Sequence, residues 1–416
     1  MKMNKVVVSL IAAGVMASPL AHATNGDIMM AVGSQSTALG GTGVANYIGA
    51  ESTFANPAML GKSKGKEVTG GLVLFMPKVT NTGFTGTIPA ESSAYVNYIP
   101  DVSYSNRISD SMTVGVAMAG VAGMGVDYTA ASPASYVKAK TVMSLLKVVP
   151  TIAYNKDNFG LGLSPVLQYG SLSISYAGSS NSNDRPDTDM NAGFALGGYY
   201  NIMPGLTAAA SFNSQIKMQY GTQLSSAGKG FCQGVTNPPA CPGGTKLFTD
   251  KLAQPAEMKV GVAYTFANNY TVTADYKLIR WSDAPGYQAF GWEDQHVTAV
   301  GGKYAVERFW AGIGYNKANN PIKESPDGAL TPYGNNGGIV NMFNNLMFPA
   351  TVKNSYTLGG GYAINKGLDL EGAFVLSPEV KTTVDISDAT ASAPGTLYNT
   401  TKHSQKSYAV SLRYKY

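Results

Sequence analysis

The 416-residue sequence is short of charge: Asp, Glu, Lys and Arg together make up 13% of it, about half the share of an ordinary soluble domain. After residue 23 it also lacks any run of ~18 apolar residues, which excludes a membrane-spanning helix. It has only two cysteines and three histidines. Cys232 and Cys241 have no third or fourth soft ligand nearby, so a metal site is not expected there. Excess charge of one sign is missing as well. Removing Lys2 and Lys5 with the leader described below leaves 28 basic residues against 25 acidic ones, a balance that does not suit nucleic acid.

Glycine and tyrosine are what the chain has in quantity, 48 and 25 residues. The first 23 residues read as a secretory signal peptide: "MKMNK" is basic, "VVVSLIAAGVMA" is apolar, and Ala21-His22-Ala23 is a small-x-small cleavage site. The mature chain is expected to start at Thr24. In an oxidising compartment, Cys232 and Cys241 are expected to pair and close the Pro/Gly-rich loop between them. A secreted chain with little charge, much Gly and Tyr and no spanning helix points to a transmembrane β-barrel, whose mean hydropathy stays near zero because only alternate residues face lipid.

Period-2 runs give about fourteen candidate strands. In "MKVGVAYTF", Met258, Val260, Val262, Tyr264 and Phe266 share one face, and Lys259, Gly261, Ala263 and Thr265 the other. "YTVTADYKL" sets Val272, Ala274, Tyr276 and Leu278 against Thr271, Thr273, Asp275 and Lys277. "YAVSLRYKY" ends the chain with Tyr408, Val410, Leu412, Tyr414 and Tyr416 on one side. Short turns (107–111, 155–158, 202–205, 267–269, 306–308, 364–367) alternate with long polar or Gly/Pro-rich stretches (81–94, 122–144, 177–190, 222–254, 283–293, 319–351, 387–401). That sorting fits an outer-membrane barrel, with tight periplasmic turns and long outer loops, better than it fits a soluble sandwich.

Residues 24–65 are not barrel. They are small, Gly-rich and too apolar for a disordered tail, and a wide barrel needs its lumen filled. The expectation is a hatch inside the lumen, followed by a barrel over 66–416. "GGTGVAN" (40–46) lacks the Lys-Ser/Thr of a P-loop and any βαβ context, so it reads as packing within the hatch.

The segment "GSQSTALGGTGVANYIGAESTFANPAML" resembles the N-terminal hatch of the FadL/TodX family, outer-membrane transporters of long-chain fatty acids and hydrophobic aromatic compounds. "QPAEMKVGVAYTFANNYTVTADYKLIRWSD" (254–283), "FWAGIGYNKANNPI" (309–322) and "YTLGGGYAINKGLDLEGAF" (356–374) resemble its later hairpins. The resemblance implies an all-β, fourteen-stranded barrel that moves hydrophobic molecules passively and needs no cofactor. It also implies that the hatch motif Asn56-Pro57-Ala58 meets an inward kink in the third strand, where the wall opens sideways. In "SMTVGVAMAGVAGMG" (111–125), Gly120, Gly123 and Gly125 are the expected kink positions, since Gly permits a bend that a ladder otherwise resists. The expected surroundings are the bilayer and lipopolysaccharide, with the protein a monomer.

Ligand contacts are expected from several places. Phe54 and Phe75 are candidates for lining a pocket. In "GGIVNMFNNLMFPA", Ile339, Met342, Phe343, Leu346 and Met347 share a helical face, which suits either a capture groove or a lid packed over the mouth. Lys259, Lys277 and Arg413 project inward beside Asp275, Asp369 and Glu371, ready either to hold a carboxylate or to pair with the wall and hatch. Trp281, Trp292 and Trp310 lie near strand ends, as girdle aromatics do. The competing readings are a general porin, against which the apolar hatch argues, and a barrel enzyme cleaving lipid or peptide. The mature chain offers such an enzyme only His296 and His403, near Asp294 and Ser404.

Overall fold

A computed structural model describes residues 24–83, 89–131, 139–175, 185–234, 248–326, 337–390 and 395–416, with the side chains of 232–234 and 390 excepted. The proposed Cys232–Cys241 bond lies outside these residues.

Fourteen antiparallel strands form the wall: β1 (Lys66–Asn81), β2 (Asn97–Arg107), β3 (Met112–Asp127), β4 (Lys140–Lys156), β5 (Phe159–Ser175), β6 (Asp187–Met203), β7 (Leu206–Asn213), β8 (Glu257–Phe266), β9 (Tyr270–Ile279), β10 (Gln295–Val306), β11 (Phe309–Ala318), β12 (Asn354–Ala363), β13 (Leu368–Asp385) and β14 (Tyr398–Lys415). Each pairs with its sequence neighbours, and β14 returns to β1 in a ladder from Thr401↔Asn81 to Lys415↔Glu67. Closure leaves the first and last strands no free edge, which hydrocarbon would not tolerate. The fold is thus a closed all-β barrel with residues 24–65 packed in its lumen.

The alternation seen in the sequence becomes two surfaces. Met258, Val260 and Val262 on β8 are each about half exposed, at 49, 52 and 47%, while Lys259 between them is 6% exposed. Short turns gather at one end. The two residues after β4 turn the chain with Asp157 at φ 50°, and Ala267 and Asn268 do the same after β8, at φ 47° and 60°. At that end Phe266 stacks on Tyr270 at 5.5 Å, and Tyr270 meets Tyr304 at 4.9 Å, a stretch of interfacial girdle.

The opposite end carries the long connections, and the described parts of these pack over the mouth. Helix α3 (Gln223–Gly234) and helix α4 (Gly337–Met347) lie there. Phe343 of α4 sits 5.4 Å from Phe231, 4.5 Å from Phe248, 5.1 Å from Phe290 and 5.2 Å from Phe348. Trp281 and Trp292 belong to this inner core, at 0 and 2% exposure, and not to a lipid-facing girdle. The loop before β10 folds back and buries them, a contact their place near strand ends does not reveal.

Because alternate residues of β8 face lipid, Val262→Arg should cost about 2–4 kcal/mol if it lies near the bilayer midplane. Urea unfolding of the reconstituted barrel checks this, with Val262→Leu close to neutral.

Candidate functional site

The hatch is built from glycine turns, two short helices, α1 (Ser34–Ala38) and α2 (Ser52–Ala55), and a 3-10 segment (Pro57–Lys62). Segments this short cannot hold their own shape, so the wall holds them. The Asp275 carboxylate accepts hydrogen bonds from the Gly43 and Val44 N–H groups at 2.8 and 3.0 Å. Thr42 and Thr273 hydroxyls lie 2.8 Å apart, and Thr357 donates to the Ala38 carbonyl at 2.8 Å. Gly40 has φ +75°, and a Cβ there would fall 2.8 Å from the Tyr315 backbone. Gly40 is therefore pressed against β11, while Gly41 and Gly43 pack on Met30 and on Ala55 and Ile48 of the hatch itself, so close packing accounts for these glycines.

A second anchor is ionic. Arg413 of β14 donates to Glu51 at 2.7 Å, to the Ile48 carbonyl at 2.6 Å and to Glu371 at 3.1 Å, with Glu67 at 3.8 Å. Three carboxyls around one guanidinium leave an excess of acid in a dry place. Burial accordingly pushes the Glu51 carboxyl up to about 8, against the pull of Arg413. Of the two roles expected for Arg413, a ligand contact or a pairing with wall and hatch, the structure shows the pairing.

Pro57 ends the helix before it, and Asn56 caps the 3-10 segment after it. The Asn56 side chain accepts from the Ala58 N–H at 3.0 Å and donates to the carbonyls of Val44 and Gly198 at 2.8 and 3.3 Å. A Cβ on Gly197 would lie 1.9 Å from Asn56 Oδ1, and one on Gly162 would lie 2.3 Å from the Ala58 nitrogen. The motif thus presses on β5 and β6 and does not meet the bend of the third strand. Only the lower part of β3 is near, where Leu60 would touch a Cβ at Gly115.

What meets the upper part of β3 is the hatch's first hairpin. Thr24–Asn25 pairs with Ile28–Met29, and Ile28 pairs with Ala122. The Gly123 N–H donates to the Asp27 carbonyl at 3.1 Å. The register of β3 on β4 shifts between Gly120 and Ala122, and residues 119–124 are buried on both faces. Pairing of β3 with β2 stops at Asp101↔Ala119, so 97–100 of β2 pair only with β1.

Inside the hairpin lies a cavity of about 90 Å³. Ile28, Val32 and Phe54 line it from the hatch, and Val121, Val149 and Val166 from the wall. Lys147, Lys259, Lys277, Glu51, Glu257 and Asp275 also border it. Glu257 lies 3.5 Å from Lys259 and 3.7 Å from Lys277, and Lys259 donates to the Phe54 carbonyl at 3.2 Å. Lys147 has no carboxylate within 4 Å among the described residues. Gly125 borders a smaller space of about 20 Å³ with Thr24, His403 and Gln405.

Of the residues expected at a ligand, Phe54, Lys259 and Lys277 border the main cavity. Phe75 does not; it is buried among Val73, Met29 and Ile99 near the inner edge of β2. Ile339, Met342, Phe343 and Leu346 are buried in the mouth core, as lid packing requires. His403 is held by the Pro349 carbonyl at 2.7 Å and by Gln405, and His296 faces outward against Tyr276 at 2.6 Å. Lys147 was not anticipated; "SLLKVVP" is apolar on both sides of it, which blurs the alternation that would have turned it inward.

A family model described as outer membrane protein transport protein (OMPP1/FadL/TodX) matches residues 15–416. The chain belongs to this family. Its barrel is similar to solved members: a Pseudomonas aeruginosa FadL homologue (14% identity, TM-score 0.68, covering 94% of this chain and 99% of that one), the P. putida toluene transporter TodX (16%, 0.65, 93% and 99%) and the Ralstonia pickettii toluene transporter TbuX (16%, 0.60, 93% and 99%). No curated protein sequence matches. The barrel is therefore that of an outer-membrane transport protein, and its solved neighbours share the fold at low identity.

Replacing Arg413 with Leu strands Glu51, Glu67 and Glu371 without their counter-charge, a loss of about 3–5 kcal/mol for a buried group. The hatch of Arg413→Leu should become susceptible to limited proteolysis between residues 40 and 60, while the barrel keeps its heat-modifiable migration in gels.

Proposed function

We propose that this barrel takes up hydrophobic carboxylates of the long-chain fatty acid class by passive diffusion. The observation that carries the reading is the apolar cavity with Lys147 at its border, unpaired beside Lys259, Lys277, Glu257 and Asp275. An alkyl tail gains about 0.8 kcal/mol per CH₂ withdrawn from water. Valine, isoleucine and phenylalanine side chains supply the surface for it. The carboxylate gains a charge-assisted hydrogen bond from an ammonium that the wall does not otherwise satisfy. Of the three carboxyls at the border, Glu51 is taken by Arg413 and Glu257 by Lys259 and Lys277, so Lys147 is left without a carboxylate within 4 Å among the described residues.

Release then proceeds sideways. Between β2 and the upper part of β3 the ladder is interrupted, and the hatch hairpin takes the place of the missing strand pairing. A ligand leaving there enters hydrocarbon without crossing the polar, ion-paired floor formed by Arg413 and its carboxyls. No catalytic step and no cofactor enter this reading.

An uncharged monoaromatic hydrocarbon is the second reading. The solved neighbours described as toluene transporters favour it, as does the apolar wall beside Phe54. Lys147→Met separates the two. It should weaken binding of a long-chain fatty acid by about 10- to 100-fold, the worth of a hydrogen bond to a charged group, and leave toluene binding unchanged. Equal affinity of the variant and the parent for the acid would remove the carboxylate assignment.

Replacing both Gly120 and Gly123 with Val should halt uptake of the hydrophobic substrate in cells, with the barrel folded and small hydrophilic solutes unaffected. Undiminished uptake would exclude release at this bend.

A further inference from the structure

Asp27 occupies the turn of the first hatch hairpin and is 1% exposed. Its carbonyl accepts the Gly123 N–H at the bend of β3. Its side chain reaches the other way, into the outer loops: Oδ2 accepts from the Tyr287 hydroxyl and from Gln254 Nε2, the latter at 3.2 Å. Oδ1 is buried with no hydrogen-bond partner. Gln254 is fixed by reciprocal backbone bonds to Ile216 at 3.0 and 2.8 Å, and Tyr287 is packed 4.5 Å from Trp281 and 4.7 Å from Trp292. Gly26, at φ +66°, leaves no room for a side chain, since a Cβ would lie 2.6 Å from the Trp281 ring. One residue therefore joins two outer loops, the hatch and the bend.

We propose that Asp27 is a positioning residue that latches the hatch hairpin to the bend of the third strand under the outer loops, and that its protonation state sets how firmly the latch closes. The proposal does not depend on which molecule is carried. Burial pushes the carboxyl up to about 7, and the bonds from Tyr287 and Gln254 and the charge of Lys147 pull it the other way without prevailing. The titratable groups facing it are Tyr287 and Tyr220 from the outer loops and Lys147 from β4. Burial raises both phenols far from neutrality, so they stay protonated through the range of interest.

The sign follows from linkage. A freed hairpin has an ordinary carboxyl near 3.8, and the docked one titrates near 7, so docking takes up a proton between these values. The closed latch is firmest below about pH 4, weakens about tenfold per pH unit up to about 7, and is level above that. Above 7 the anion has only two donors and a bare Oδ1.

The test is hydrogen–deuterium exchange of the peptide spanning 119–126 in the full-length barrel from pH 5 to 8.5, corrected for intrinsic exchange. The opening constant of the Gly123 amide should rise about tenfold per unit from pH 5 to 7 and then level. Asp27→Asn, of the same shape and uncharged throughout, should give a flat profile. Tyr287→Phe removes a donor that favours the anion, so its profile should level at higher pH. A flat parent profile overturns the proposal, and so does an Asp27→Asn profile that keeps the slope. The Tyr287→Phe shift decides the matter independently if Asp27→Asn does not fold.

Discussion

In hydrocarbon no water is present to satisfy a backbone N–H or C=O, and each one left bare costs several kcal/mol. That constraint forces β14 onto β1 and closes fourteen strands into a wall. It also gives meaning to the place where the ladder between β2 and β3 fails. Beyond Ala119, β3 leaves β2 and turns into the lumen. Its freed groups are met by Ile28 and Asp27 of the hatch, while residues 97–100 of β2 keep a partner only on the β1 side. A break of this kind is tolerated where protein or a lined cavity covers it. The hatch is thus part of the wall's hydrogen bonding as well as a filling for the lumen.

The hatch itself has little intrinsic structure, and its anchors are polar for that reason. Apolar contacts are non-directional and would let a glycine-rich segment slide. The Asp275 carboxylate on two successive N–H groups, and Arg413 among Ile48, Glu51 and Glu371, each fix a position and an orientation. Glycines 40, 162 and 197 then permit contact distances that side chains would forbid. The plug is held by directional bonds at its floor, and by a hairpin and loops near its top.

Much of the barrel was legible because period-2 alternation is the direct imprint of two solvents on one strand. The β8–β9 hairpin was readable residue by residue, and so was the alternation of short turns with long connections. Inward-facing positions were readable too, but their partners were not. Lys259, Lys277 and Arg413 look alike in an alternating strand; depth in the barrel decides that two border the cavity while Arg413 sits in the floor. Asn56-Pro57-Ala58 announced a rigid break, yet its contact with Gly162 and Gly197 depends on how the hatch turns inside the lumen. The stripe of α4 signalled a packed face, and only the loop fold showed Phe248, Phe290 and Phe348 as its partners. Lys147 and Asp27 left no pattern, since each is a single polar residue whose role comes from residues far away in the chain.

Charge in the lumen is distributed by height. The floor pairs one guanidinium with an excess of carboxyls and is closed to an anion. Around the cavity Lys147, Lys259 and Lys277 face Glu51, Glu257 and Asp275, and Glu51 is shared with Arg413 of the floor. In the uptake we propose, an amphipathic acid entering from the mouth finds Lys147 beside the cavity and the excess carboxyls around Arg413 beneath it. The apolar tail meets the same ordering, because the ion-paired floor offers it no surface. In the proposed uptake the interrupted seam beside β3 is the exit, and it is there, through Asp27, that the hatch and the outer loops are joined.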